Sequence, residues 1–496
     1  MDGLPTGNLA DPVAEASAKV PLHAALIDAS ASVSLTWRQV DAAVDACARG
    51  LLDAGLRPGD RVALRLPTGA AFAVAVFGIL RAGGVAVPIG TDAAPRELER
   101  LIAHSGATLG FGDLPGVTVL DHALGSADPV EPVEPIGGGE DLAVIAYTSG
   151  TGGEPRGAML SHRALLANAA QLARLRPAPV TATDRVLLSI PMSHAYGLSG
   201  LWQVAATGAT AVLVDRFAVD PVLELCERHR VTVFIGVPAM YTALTAAGAD
   251  RLGEALATLR LCTSGAAPLD ARTLALFRAE TGLSVFEGYG LTETGPVLTS
   301  TLVGGLAKPG SVGRPIPGVR IRLVDSDGTP IGGAPDDESI AVDYADDADT
   351  GLVAAQGPNL FSGYWPDGAH GPDAEGWFRT GDVGYLDADG DLHLVDRAGD
   401  LIIVNGFNVY PHEVEQVVAE LPSVAEVAAV GVPDERAGER VKVVVVPRPG
   451  EAVDEDAVRA HCAERLARFK VPAVVEFAEG LPHSVTGKLR RAGLRG

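Results

Sequence analysis

Cysteine is scarce in this chain. Cys47, Cys226, Cys262 and Cys462 are the only four among 496 residues, and no two form a Cys-x-x-Cys pair. Thiols scattered this widely argue against structural zinc and suit a reducing compartment better than a disulfide framework. Positive charge is short as well: 39 Lys and Arg stand against 62 Asp and Glu, a formal net charge of −23. A nucleic-acid backbone as main partner requires a clustered basic surface, so that class is set aside. The acidic surplus reads as a dispersed, solubilising surface and does not imply a cationic substrate. Met1 to Ala10 offers neither a basic n-region nor an apolar core, so no secretory signal is read and a cytoplasmic location is expected. Val186 to Val214 contains no Lys, Arg, Asp or Glu and is long enough to span a bilayer. Pro191, Gly197, Gly200 and Gly208 interrupt it, however, and His194 lies inside it. The expectation is a buried strand–loop–helix–strand and no membrane span.

What is present is ordinary globular material, 47% hydrophobic and 20% charged, in a chain too long for one core. β-rich apolar runs alternate with Ala/Leu-rich stretches, as in Arg61 to Leu66 then Ala70 to Arg81, and Thr232 to Ile235 then Pro238 to Thr245. That alternation predicts an α/β fold, with parallel or mixed sheets covered by helices. Asp336 to Asp349 is a carboxylate-rich run read as a solvated loop. Asp396-Arg397-Ala398-Gly399-Asp400 is a polar hinge candidate. Beyond it come a strand at Leu401 to Val404, a helix from Pro411, strands at Val424 to Val432 and Arg440 to Val446, and a helix at Asp454 to Leu466. The expected division is a large N-terminal domain over 1–395, a hinge over 396–400, and a small mobile α+β domain over 401–496.

One stretch carries more chemistry than the rest: Tyr147-Thr148-Ser149-Gly150-Thr151-Gly152-Gly153-Glu154-Pro155-Arg156-Gly157. An apolar strand, Leu142 to Ala146, delivers it. Glycines let backbone N–H groups converge on an anion, and the hydroxyls add donors, so the loop suits a polyphosphate. It is not a Walker loop, which needs Gly-Lys-Ser/Thr entering a helix. Taken alone, a Ser/Thr/Gly linker fits the same residues.

Further segments follow in order. They are Ser264-Gly265-Ala266-Ala267-Pro268-Leu269, Gly288-Tyr289-Gly290-Leu291-Thr292-Glu293-Thr294 and Trp377-Phe378-Arg379-Thr380-Gly381-Asp382. After them stand Asp396-Arg397, Asn405-Gly406-Phe407-Asn408-Val409-Tyr410-Pro411 and Leu481-Pro482-His483-Ser484-Val485-Thr486-Gly487-Lys488. The ordered set resembles the adenylate-forming superfamily of acyl-CoA synthetases, peptide-synthetase adenylation domains and beetle luciferases. The resemblance runs from about Leu35-Thr36-Trp37 to Arg491, and the Gly406-Phe407 segment is most similar to the fatty acyl-CoA and malonyl-CoA synthetase branches.

The resemblance implies ATP-dependent activation of a carboxylic acid to an acyl-adenylate, with Mg²⁺, followed by transfer to coenzyme A. It implies that Thr148, Ser149, Gly150, Thr151, Gly152 and Gly153 hold the β- and γ-phosphates, with Arg156 adding charge. Glu293 is a hard oxygen ligand suited to Mg²⁺, and Thr292 contacts the α-phosphate. Tyr289, between Gly288 and Gly290, offers a face to adenine, and Gly265, Ala266 and Ala267 form the other wall. Asp382 and Arg397 reach the ribose. Lys488 neutralises charge building during adenylation, and Gly399 is the pivot on which its domain turns to admit the thiol. Gly406 and Phe407 line the CoA channel. His194 and Tyr196 fall in the segment lining the acyl pocket, His194 as its gate or floor or as a buried, hydrogen-bonded histidine. Val237, Met240 and Tyr241 line that pocket or pack a helix, and Gly288 borders it.

The chain departs from the family pattern at Gly152, usually Thr or Ser, at Arg156, usually Lys, and at Gly399, usually Asp or Lys. Malonyl-CoA synthetases place Arg at positions that correspond to Ala243 and Gly288 here, which leaves no cation for a second carboxylate. The expected function is an acid–CoA ligase for a fatty or other apolar monocarboxylic acid. Transfer to the phosphopantetheine of an acyl carrier protein, and a non-catalytic adenylate-binding regulator, stand as alternatives.

Overall fold

Strand–helix alternation resolves into two sheets in the first of two units. The computed structural model describes residues 4–120, 131–148, 155–331, 350–397, 400–404, 407–434, 438–483 and 489–495. The first unit comprises Met1–Arg320 with Ala355–Phe378, and the second Ile321–Ala354 with Arg379–Gly496. The acidic run Asp336 to Asp349 lies outside the described residues.

The larger sheet has nine strands in the order Arg314–Pro315, Thr299–Ser300, Val285–Tyr289, Leu261–Ser264, Val233–Gly236, Arg185–Leu188, Thr210–Leu213, Ala24–Asp28, Val33–Thr36. Its central strands, from Val285–Tyr289 to Ala24–Asp28, are parallel, and both margins are antiparallel. Burial on both faces explains why these strands read as unbroken apolar runs rather than as alternation. The other sheet runs Thr118–Val119, Leu109–Gly112, Arg61–Arg65, Val85–Pro88, Leu142–Thr148, Arg156–Ser161, and only its last pair is antiparallel.

The charge-free stretch from Val186 forms the rest of the strand Arg185–Leu188, the helix Ala195–Thr207 and the strand Thr210–Leu213. Among the described residues no helix is long and apolar enough to cross a membrane. The helix Ala70–Arg81 is buried at every residue except Ala71, which accounts for its lack of a polar face. Its one buried cation, Arg81, is paired with Asp41 and Asp45, each at 2.7 Å.

Trp377–Leu386, which belongs to the second unit from Arg379 on, and Leu392–Arg397 form an antiparallel hairpin within a four-stranded sheet. A five-stranded sheet built on Val424–Asp434 and Gly438–Pro447 carries the helices Pro411–Ala419 and Glu455–Arg465 over a valine-rich core. Asp454 caps the latter helix by accepting from the Ala457 N–H.

Candidate active site

Four neighbouring parallel strands end along one edge, and the candidate residues emerge there. Val285–Tyr289, Leu261–Ser264, Val233–Gly236 and Arg185–Leu188 lie side by side. At and beyond their C-terminal ends come Tyr289 and Gly290, then Gly265 to Ala267, then Val237 and Met240, then His194 and Tyr196. The carboxyl edge of a parallel sheet is where an α/β fold opens a ligand crevice.

The walls of that edge are close-fitted. A Cβ on Gly265 would stand 3.2 Å from the Tyr196 ring, and one on Gly290 would run into the Pro296 carbonyl oxygen. At Gly290 only glycine can bring the backbone so near, while at Gly265 a side chain would need the Tyr196 ring to give way by a few tenths of an ångström. Ser264 is buried, and its Oγ takes no hydrogen bond among the described residues. Glu287 ties the two walls together by accepting from the Leu269 N–H at 3.1 Å, and burial pushes its carboxyl up to about 7. Met240 is buried with its Sδ 3.5 Å from the Ser189 hydroxyl, Val237 is buried at the cap of the helix Pro238–Thr245, and Tyr241 donates to the Thr263 carbonyl at 2.7 Å. His194 stands at the N-cap position of the helix Ala195–Thr207 without a capping side-chain hydrogen bond, and burial lowers its pKa against the opposing pull of Asp92.

Thr292–Thr294 form one turn of 3-10 helix. Glu293 is buried there, and one of its oxygens, Oε1, accepts from the Tyr364 hydroxyl at 2.6 Å. Among the described residues it has no cationic partner within ion-pair distance. A buried carboxylate with one neutral donor and a second oxygen to offer fits a hard divalent cation.

Strands Leu142–Thr148 and Arg156–Ser161 pair antiparallel, with Thr148 opposite Arg156. The Ser/Thr/Gly loop therefore joins a hairpin, not a strand to a helix. Thr148 is half-buried at its start, while Ser149, Gly150, Thr151, Gly152 and Gly153 lie outside the described residues. The Arg156 guanidinium sits 5.7 Å from the centroid of the Tyr364 ring. Ser362 to Trp365 pair with the outer side of this hairpin through Met159 N–H to Gly363 O, Ser362 N–H to Met159 O and Trp365 N–H to Gly157 O, at 3.0, 2.9 and 2.8 Å. Burial and the neighbouring Glu293 charge raise the Tyr364 phenol well above its ordinary range.

In the second unit, Asp382 and Arg397 stand opposite each other in the hairpin, Asp382 buried behind the positive-φ Gly381. The Arg397 side chain, Gly399, Gly406 and Lys488 are outside the described residues. Their flanks are anchored. Asp396 accepts from the His412 N–H at 2.9 Å, and Asp400 meets Arg491 at 3.6 Å and Arg495 at 3.1 Å. Arg491 also grips Glu415 at 2.9 Å, so it is not a solvated tail residue. His483 and Leu489, on either side of 484–488, pair antiparallel. Phe407 is exposed and stacks on Phe469 with ring centroids 4.8 Å apart. Tyr364, Glu287 and Arg491 are the residues here that the sequence motifs did not single out.

The AMP-binding enzyme family matches residues 13–365, and its C-terminal domain matches residues 413–488. The chain belongs to this adenylate-forming family. A feruloyl-CoA synthase from Amycolatopsis sp is 36% identical, the match covering 93% of this chain and 94% of that one. The long-chain-fatty-acid–CoA ligase FadD13 of Mycobacterium tuberculosis is 32% identical over 96% of this chain and 95% of its own. ATP-bound MatB from Rhodopseudomonas palustris superposes with a TM-score of 0.88 at 32% identity, covering 99% of this chain and 98% of the other. The enzyme class is that of the AMP-forming acid–CoA ligases.

Proposed function

We propose that this ligase activates a fatty or similarly apolar monocarboxylic acid and passes the acyl group to coenzyme A in the cytoplasm. The observation that carries the reading is the shared strand edge, where buried Met240 and Val237, the Tyr196 ring and Gly265 are set beside the Tyr289 segment. No described Lys or Arg is contributed by those segments, and the positions that would hold one, Ala243 and Gly288, carry none. A second buried carboxylate would therefore lack a partner.

In the first half-reaction a carboxylate oxygen attacks the α-phosphorus of ATP and pyrophosphate leaves. In the second, the CoA thiolate attacks the acyl carbon and AMP leaves. Bound Mg²⁺ would neutralise phosphate charge. Glu293 would hold it, Thr292 would orient the α-phosphate, and Thr148 to Gly153 with Arg156 would bind the outgoing phosphates. Tyr289 and Gly265 to Ala267 would sandwich the adenine. Asp382 and Arg397, opposite each other on one hairpin, are suited to one ribose. Lys488 would stabilise the adenylation transition state and leave with its domain, 401–496, as the hinge 396–400 turns.

The test is ATP–pyrophosphate exchange over saturated acids of increasing length, ferulate, malonate and methylmalonate, followed by AMP release with CoA or a holo-carrier protein. Exchange should rise with chain length until the pocket is full, each buried CH₂ adding up to about 0.8 kcal/mol. Preference for malonate would reject the monocarboxylate assignment, preference for the carrier would reject CoA as acceptor, and no exchange with any acid would favour a binding protein.

A further inference from the structure

We infer that Tyr364 is a positioning residue for metal-dependent ATP binding, its hydroxyl fixing Glu293 and its ring seating Arg156. The inference rests on the proposed role of Glu293 as the Mg²⁺ ligand. The phenol meets Glu293 Oε1 at 2.6 Å, which fixes the rotation of the carboxylate and leaves Oε2 and the second lone pair of Oε1 to a cation. The backbone of Glu293 is held from the same segment, since its carbonyl accepts from the Phe361 N–H at 2.9 Å. Phe361 meets the Tyr364 ring edge-on, with centroids 5.1 Å apart. The Arg156 guanidinium lies 5.7 Å from that ring's centroid, beside the hairpin that carries the phosphate loop.

One side chain thus touches both charges proposed to receive the triphosphate. It holds the metal-binding anion by a hydrogen bond and the phosphate-binding cation by its π-face. Segment 362–365 is itself pinned to Gly157–Met159 by backbone hydrogen bonds, so the phenol is placed by the same strand that places Arg156. A carboxylate fixed in advance loses less freedom when a cation binds.

The experiment measures ATP affinity by titration calorimetry on the full-length enzyme without acid, so that no turnover occurs. Each variant is titrated once with Mn²⁺ and once with EDTA. Tyr364→Phe keeps the ring and loses one oxygen atom, so folding is retained and is verified by thermal melting. The expected result is that the Mn²⁺-to-EDTA affinity ratio falls about tenfold, the worth of one hydrogen bond to a charged group, while affinity in EDTA is unchanged. Glu293→Gln should abolish the Mn²⁺ enhancement, and Tyr364→Phe in that background should cost nothing more. Arg156→Met should weaken ATP equally under both conditions. If Glu293→Gln keeps the enhancement, the metal assignment itself fails. If Glu293→Gln loses it and Tyr364→Phe keeps it, or if Tyr364→Phe weakens ATP equally in EDTA, the positioning role is overturned.

Discussion

Replacing His162 with asparagine should flatten the dependence of stability on pH between about 4 and 6.5. His162 is 1% exposed at the start of the helix His162–Ala173, directly after the strand that carries Arg156, and its Nδ1 accepts from the Leu9 N–H at 2.9 Å. An accepting Nδ1 cannot carry a proton, and burial draws the imidazole from 6.5 down to about 4, only partly opposed by Asp141. The folded-state pKa is depressed, so below pH 6.5 the unfolded chain takes up a proton that the native state refuses. Stability from this residue is complete above pH 6.5 and is lost as the pH falls toward 4. At 1.36 kcal/mol for each pH unit, 6.5 minus 4 gives about 3 kcal/mol. Asparagine Oδ1 can take the Leu9 hydrogen bond without titrating. His162→Asn should be less stable than the parent by about 1 kcal/mol at pH 7, from the smaller side chain, and should overtake it between about pH 5.5 and 6. The assay is urea unfolding at half-unit steps from pH 4.5 to 7.5, read by fluorescence. A variant that retains the full slope over that range would show that other groups carry it.

Lys488→Ala should slow acyl-adenylate formation by on the order of 10²-fold or more, measured by pyrophosphate exchange, and leave thioester formation from supplied acyl-adenylate intact; equal loss in both steps would remove the assigned role. Gly399→Pro should keep one half-reaction and lose the other, because proline fixes φ near roughly −65°. Gly399→Asp should retain both, and a normal overall rate in Gly399→Pro would place the pivot elsewhere. Gly290→Ala drives a methyl group into the Pro296 carbonyl and must shift the turn that bears Glu293, so adenylation should fall by on the order of 10²-fold; an unchanged rate would mean that this turn tolerates displacement.

Local chemistry was legible from the residues. The helix Pro238–Thr245 and the strand–helix–strand from Arg185 to Leu213 follow from apolar runs punctuated by proline and glycine. The Ser/Thr/Gly loop and the Tyr289 to Thr294 segment stand out in the sequence because each is a run of residues adjacent along the chain. Pairings across the fold do not. The Tyr364–Glu293 contact joins residues 71 positions apart, and the Arg491–Glu415 pair spans 76. A tyrosine in a Gly-Tyr-Trp-Pro stretch reads as an ordinary turn aromatic until the chain returns along Gly157–Met159. Glu287 was similarly mute, since only the neighbouring strand Leu261–Ser264 brings the Leu269 amide to its carboxylate.

Arg156–Ser161 is the last strand of its sheet, and a bare outer strand is a template on which another chain can add itself. Ser362 to Trp365 occupy that margin, and the Trp365 indole fastens the end of the segment to the His104 carbonyl at 3.0 Å. The segment that presents Tyr364 to Glu293 is therefore also a guard against self-association. On the proposed role of Tyr364, damage that frees it, such as loss of Trp365, should be felt twice, once as weaker metal-dependent ATP binding and once as a chain that joins its neighbours edge to edge.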